Sequence, residues 1–183
     1  MVKLKLFALS VIGTAGILLT VIYLNRSPAA PVLKPVAPGL FVTSQLKTEN
    51  VLALRRRGIR NIVDLRPDDE ARDQTPSSAI KQAAEDNGIS FHYVPIPHGP
   101  VPKEAVEALQ TALADRTAPT VLYCRTGNRA TRALALVEAS RTDGPSAVAI
   151  NTMVRDAGFS ADDLKSEIEQ RIAQRNPAGE SSK

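Results

Sequence analysis

The sequence has no tryptophan, and aromatic residues make up only 4% of its 183 residues. Binding by base stacking or by an aromatic cage therefore has little to work with. A single cysteine, Cys124, excludes an internal disulfide. The two histidines, His92 and His98, have no second ligand near them, so no metal site is expected, and no cofactor either. Strong charge is missing too. The net +4 is spread among acidic residues without a basic stripe, which argues against a nucleic-acid partner. Internal repeats are absent. A hydrophobic content of 43% with 23% charged residues is ordinary for one globular domain with one core.

The N-terminus carries a long uncharged apolar run. Leu6 to Leu24 would span about 28 Å as a helix, close to the ~30 Å of a bilayer core. Residues 1–26 read as a membrane anchor. A cleaved signal peptide is the alternative, with Ser27-Pro28-Ala29 as a poor cleavage site. Lys3 and Lys5 precede the run, which predicts a cytoplasmic N-terminus, a single pass through the inner (cytoplasmic) membrane and a periplasmic domain. Pro28, Pro31, Pro35 and Pro38 make residues 27–39 an extended tether.

Residues 40–174 alternate between strand and helix patterns, and 175–183 read as a polar tail. Short strands are predicted at Leu40–Thr43, Ile59–Leu65, Ile89–Ile96 and Val121–Tyr123. Helices are predicted from Thr48 to about Arg57, from Thr75-Pro76 to Asn87-Gly88, over Lys103–Ala114, from about Ala130 to Ser140, over Pro145–Ala157 and over Ala161–Ala173. This order predicts an α/β fold with a central, mainly parallel sheet flanked by helices and ligands at the carboxyl ends of the strands.

Cys124 sits at such an end. The strand Val121-Leu122-Tyr123 stops at it, Arg125-Thr126-Gly127-Asn128-Arg129 follows, and a helix pattern begins at Ala130. A thiol in a loop entering a helix N-terminus faces inward-pointing amides and the positive end of the helix dipole, which stabilise a thiolate and a bound oxyanion. Arg125, Arg129 and Arg132 would add full charges, and Gly127 supplies the backbone freedom that turns amides inward. A cysteine used only for packing gains nothing from this pattern, so Cys124 is the expected nucleophile. Arg129 is expected to grip an anionic substrate, and Arg125, Thr126, Gly127, Asn128 and Ala130 to line it.

Several segments together resemble one bacterial family: Ser44-Gln45, Gly58-Ile59 through Asp64-Leu65-Arg66-Pro67, Val94-Pro95-Ile96-Pro97, Cys124 to Arg129, and Ala157-Gly158-Phe159. That family is the phosphatase-like domain of beta-lactamase hydrolase-like proteins, also described as a sulfur transferase family. The resemblance covers roughly residues 38–174 and implies a dual-specificity-phosphatase-like fold with the active cysteine between strand and helix.

Two departures from phosphatases of that fold bear on the reaction. Four residues separate Cys124 from Arg129 where such phosphatases have five, and the shorter form looks like the persulfide-carrying loop of rhodaneses. The stretch from Pro95 to Pro102, where those phosphatases carry an aspartic acid that protonates the leaving group, contains no carboxylate; His98 is the only candidate acid. Asp64 and the Asp68-Asp69-Glu70 run could in principle approach the pocket, but a solvated loop is the preferred reading. The leading expectation is a membrane-anchored sulfurtransferase forming a Cys124 persulfide, with a small anionic sulfane-sulfur donor and a thiol acceptor as partners. The alternative is a tyrosine or dual-specificity-type phosphatase acting on a phosphoester through a phosphocysteine. A third is a non-catalytic anion-binding or redox-sensing module.

Overall fold

The computed structural model describes residues 30–175. The apolar run at 6–24, and with it the expected membrane anchor, lies outside the described residues. Among those described, no helix is long and apolar enough to cross a membrane.

Five strands form one sheet: β1 Lys34–Ala37, β2 Leu40–Thr43, β3 Asn61–Asp64, β4 Ser90–Tyr93 and β5 Thr120–Tyr123. Their spatial order is β1-β2-β5-β3-β4. Only β1 runs antiparallel to its neighbour. The inner strands β3 and β5 are buried at every position, the edge strand β4 at none, as expected of a sheet covered on both faces.

Strand β1 corrects the sequence reading, because it lies within the stretch expected to be a tether. Pro35 has no amide hydrogen to give to a ladder, and an edge strand with an irregular register tolerates that loss. A proline-rich stretch can thus be extended and paired at once.

Among the described residues, six helices complete the domain: α1 Thr48–Arg56, α2 Ser77–Asp86, α3 Lys103–Ala112, α4 Asn128–Ser140, α5 Ala147–Asp156 and α6 Lys165–Gln174. A single turn of 3₁₀ helix, Asp162–Leu164, leads into α6. Thr48 is the first helical residue, and the Lys47 amide before it donates to Asn50 Oδ1 at 2.8 Å. Sequence alternation along the strands divides the core. Ile62, Val121 and Tyr123 face α1 and α2 with Leu54 and Ile80. Val63, Leu122 and Cys124 face the other way, onto Leu109, Leu134, Ile150 and Ile168. Helix α4 is enclosed, with buried residues all around its axis, which its Ala- and Leu-rich sequence allows. Arg175, expected to open a polar tail, instead donates to the carbonyls of Glu138, Ala139 and Gly144 and ties the end of α6 to the end of α4.

The register places the site. Thr43, Asp64 and Tyr123 lie side by side, with Tyr93 beyond Asp64. All four parallel strands therefore end at one edge, and the loops that follow them gather there.

Candidate active site

Cys124 follows β5 directly and is 1% exposed. Its sulfur accepts the Gly127 amide at 3.2 Å. That hydrogen bond needs the backbone to fold back sharply, and Gly127 does so at φ 97°, in the left-handed region that costs glycine least. Gly127 is also the residue before α4, and its carbonyl accepts from the Thr131 amide at 3.0 Å and the Thr131 hydroxyl at 2.9 Å. The thiol thus lies beside an inward amide at the positive end of an enclosed helix.

The other expected residues divide. Arg125, Thr126 and Asn128 are exposed at the loop rim, with Thr126 Oγ1 accepting the Asn128 amide at a long 3.4 Å. The Ala130 side chain is buried in the core of α4. Arg132 does not reach the site: its guanidinium closes on Asp163 at 2.6 and 2.7 Å. Among the described residues, no three His, Cys, Asp or Glu side chains are grouped to hold a metal ion. His92 is a mid-strand residue of β4 opposite Val63.

The principal correction concerns Glu70, expected in a solvated loop. Its carboxylate takes both arms of the Arg129 guanidinium, Nη1 to Oε1 at 2.6 Å and Nη2 to Oε2 at 2.8 Å. Arg129 Nη1 also donates to the Ile96 carbonyl. Arg66 Nε reaches Glu70 Oε2 at 2.9 Å, and Arg66 Nη1 reaches Gln45 Oε1 at 2.8 Å. His98 Nε2 stands 3.6 Å from Glu70 Oε1 on an otherwise exposed ring. Gln45 closes the circuit, because its backbone N–H donates to the Arg125 carbonyl at 3.3 Å. Loops after β2, β3, β4 and β5 therefore meet around one carboxylate.

The charges follow from these contacts. The hydrogen bonds from Arg129, and next those from Arg66, outweigh the burial that opposes them and hold the Glu70 carboxyl at about 2, well below the usual range. Burial pulls the Arg129 guanidinium down, but Glu70 and the Cys124 sulfur more than offset it, and the group is held above its ordinary value. Asp64 also departs from the solvated reading. It is 1% exposed on the α1–α2 face, its Oδ1 accepts the Arg66 amide at 2.9 Å, and burial raises its carboxyl to about 6. Burial likewise raises the neighbouring Tyr123 phenol. Asp68 serves structure, accepting the Ser77 amide at 2.8 Å and the Ser77 hydroxyl at 2.6 Å to cap α2.

Sequence reasoning thus preferred a solvated loop to a site role for Glu70 and gave Arg66 and Gln45 no place in the site. The available signal was charge: two arginines converging on one thiol loop need a counter-charge when buried, and Glu70 stands four residues after one of them.

Known proteins resemble this chain to differing extents. A candidate phosphatase of Neisseria meningitidis superposes with a TM-score of 0.64 at 25% identity, covering 75% of this chain and 96% of its own. The catalytic core of a PP-IP phosphatase of S. cerevisiae shares the fold at TM-score 0.57 and 21% identity, covering 82% of this chain and 96% of its own. The beta-lactamase hydrolase-like protein of Xylella fastidiosa (strain Temecula1) is 31% identical over 99 residues, 54% of this chain but only 23% of that protein. Its counterpart in Agrobacterium fabrum is 30% identical over 101 residues, again 23% of its length. The match thus spans about a quarter of these curated relatives. The family described as the beta-lactamase hydrolase-like protein, phosphatase-like domain, matches residues 32–141, and the chain belongs to it.

Proposed function

We propose that the chain is a cysteine-dependent hydrolase of the phosphatase type, with Cys124 as nucleophile. One observation carries the reading: the Cys124 sulfur receives the Gly127 amide at a helix N-terminus, beside an arginine, in a fold shared with phosphatases. The thiolate attacks phosphorus and the ester oxygen leaves, taking a proton from His98 on the exposed rim. Water then attacks the phosphocysteine, releasing phosphate and regenerating the thiolate. Glu70 is unsuited to be the acid, because two arginines hold it ionised; its part is to orient Arg129.

Sulfur transfer is the second reading, favoured by the loop itself. Four residues between Cys124 and Arg129 make a smaller ring than a phosphate-binding loop with five. A thiolate or sulfite leaving group also needs no proton, which suits a site whose Glu70 carboxylate is held ionised. In that reading a sulfane donor transfers sulfur to Cys124 and a thiol acceptor removes it. Membrane attachment through residues 1–26, with the domain on the periplasmic side, is proposed alongside either chemistry on the strength of the apolar run at 6–24.

The experiment exposes the protein to para-nitrophenyl phosphate or to thiosulfate and takes its intact mass. A phosphoryl adduct on Cys124, with turnover lost in Cys124→Ser, supports the hydrolase; an added sulfur atom supports the transferase. Turnover of either compound by Cys124→Ser would sink both readings.

A further inference from the structure

A residue after α5, far from Cys124 in sequence, closes on the space beside the active loop. Helix α5 ends in Ala157-Gly158-Phe159. Gly158 turns left-handed at φ 79°, its amide reaches the Arg155 carbonyl at 2.8 Å, and the Phe159 amide reaches the Val154 carbonyl at 3.1 Å. These are the two hydrogen bonds of a Schellman turn, a helix stop that reverses the chain and aims the next side chain back along the helix.

The Phe159 ring is thereby directed at the thiol loop. A methyl group placed on Gly127 would meet Phe159 Cζ at 3.0 Å and Cε2 at 3.5 Å, so the ring tip fills the space a side chain there would need. The Thr43 carbonyl stands 3.4 Å from the same point. Ring and strand end both close on Gly127, whose amide is the one aimed at the Cys124 sulfur. The ring is itself pinned: Lys34 Nζ of β1 stands 4.1 Å from its centroid, in cation–π range. The Arg132–Asp163 pair binds the first turn of α4 to the segment just after Phe159.

We infer that Phe159 is a positioning residue for the reaction: its ring sets the Gly127 amide against the Cys124 sulfur, so the segment that follows α5 completes the active loop. The inference rests on Cys124 being the nucleophile, and it assigns Phe159 no contact with substrate.

The test compares Phe159→Leu with Phe159→Met. Leucine keeps an apolar side chain against the core but is too short to reach Gly127, whereas methionine is long and flexible enough to touch it. Both keep an apolar side chain at 159, and urea unfolding of each records what stability it retains. With para-nitrophenyl phosphate, or thiosulfate and cyanide, whichever the wild type turns over, Phe159→Leu should lower kcat about tenfold or more with KM nearly unchanged, since a misplaced donor weakens only the transition state. Phe159→Met should recover most of that loss. A second readout needs no substrate: the Gly127 amide, followed by NMR hydrogen exchange, should exchange about tenfold faster in Phe159→Leu than in wild type if its bond to sulfur loosens. Wild-type kcat and wild-type Gly127 exchange in Phe159→Leu would overturn the inference, as would a kcat that merely tracks the folded fraction in both variants. If the wild type turns over neither compound, the proposed chemistry fails while the amide measurement still decides the role of Phe159.

Discussion

Arg129 and Glu70, 59 residues apart in sequence, close a two-point ion pair directly over the thiol loop. Each side chain is 12% exposed, and Arg66, 5% exposed, shares the carboxylate. Removing Glu70 would leave two shielded cations facing each other. Glu70→Ala is expected to cost about 2–4 kcal/mol of stability, read from urea unfolding, and to lower kcat/KM along with it. A change under about 0.5 kcal/mol would mean that water already compensates the pair.

The same pair sets an acid limit. Folding favours the ionised carboxylate, so its contribution is complete above the ordinary value of 4.5 and is lost as pH falls toward about 2. Urea midpoints measured across that window should fall steeply for the wild type and more gently for Glu70→Gln. Parallel curves would refute the assignment.

Asp64 has the opposite sign. Burial makes the folded protein hold its proton more tightly than the unfolded chain, so stability from this group falls as pH rises from 3.8 through about 6. Asp64→Asn removes the buried charge and keeps an acceptor for the Arg66 amide. It should gain on the order of 1–3 kcal/mol at about pH 8 and almost nothing at about pH 4. An equal effect at both values would show that ionisation is not the cause.

Two arginines of the same segment should behave differently. Arg129→Lys keeps the charge but loses the planar fork, and kcat/KM should fall about 10²-fold. Arg132 is committed to Asp163 on the exterior, so Arg132→Ala should change kcat/KM by less than about twofold. Similar losses in the two variants would place Arg132 in the site after all.

Gly127→Ala meets two obstacles together, the positive φ and the Phe159 ring. The expected loss is about 1–3 kcal/mol of stability with a larger loss of turnover, measured by thermal unfolding and by steady-state kinetics on one preparation. Wild-type turnover in this variant would separate the loop's shape from its chemistry.

What could be read in advance follows from how local each signal is. The run Val121–Tyr123 ending at Cys124, with Gly127 and the α4 pattern after it, encodes strand, loop and helix within twenty residues, and the place of Cys124 between strand and helix was legible there. Strand β1 was not, because Pro35 and Pro38 mark extended chain and the pairing that makes it a strand comes from β2. Glu70 was hidden for a related reason. Its neighbours Asp68 and Asp69 make the segment look solvated, and only the meeting of four strand ends brings Arg129 and Arg66 to it. Ala157-Gly158-Phe159 stood out as a motif, but its target lies thirty residues earlier in the chain.

Helix α4 gives the protein one further property. The helix whose first turn shapes the reactive loop is also the one most deeply enclosed by its neighbours. Catalytic geometry and core density therefore share a single rod, and small volume changes at Ala133, Leu134 or Val137 are transmitted to the loop without any hinge to absorb them. Random mutagenesis should find inactive yet well-folded proteins clustered along that rod, and efforts to stabilise the domain have most freedom on the outer faces of α1 and α2.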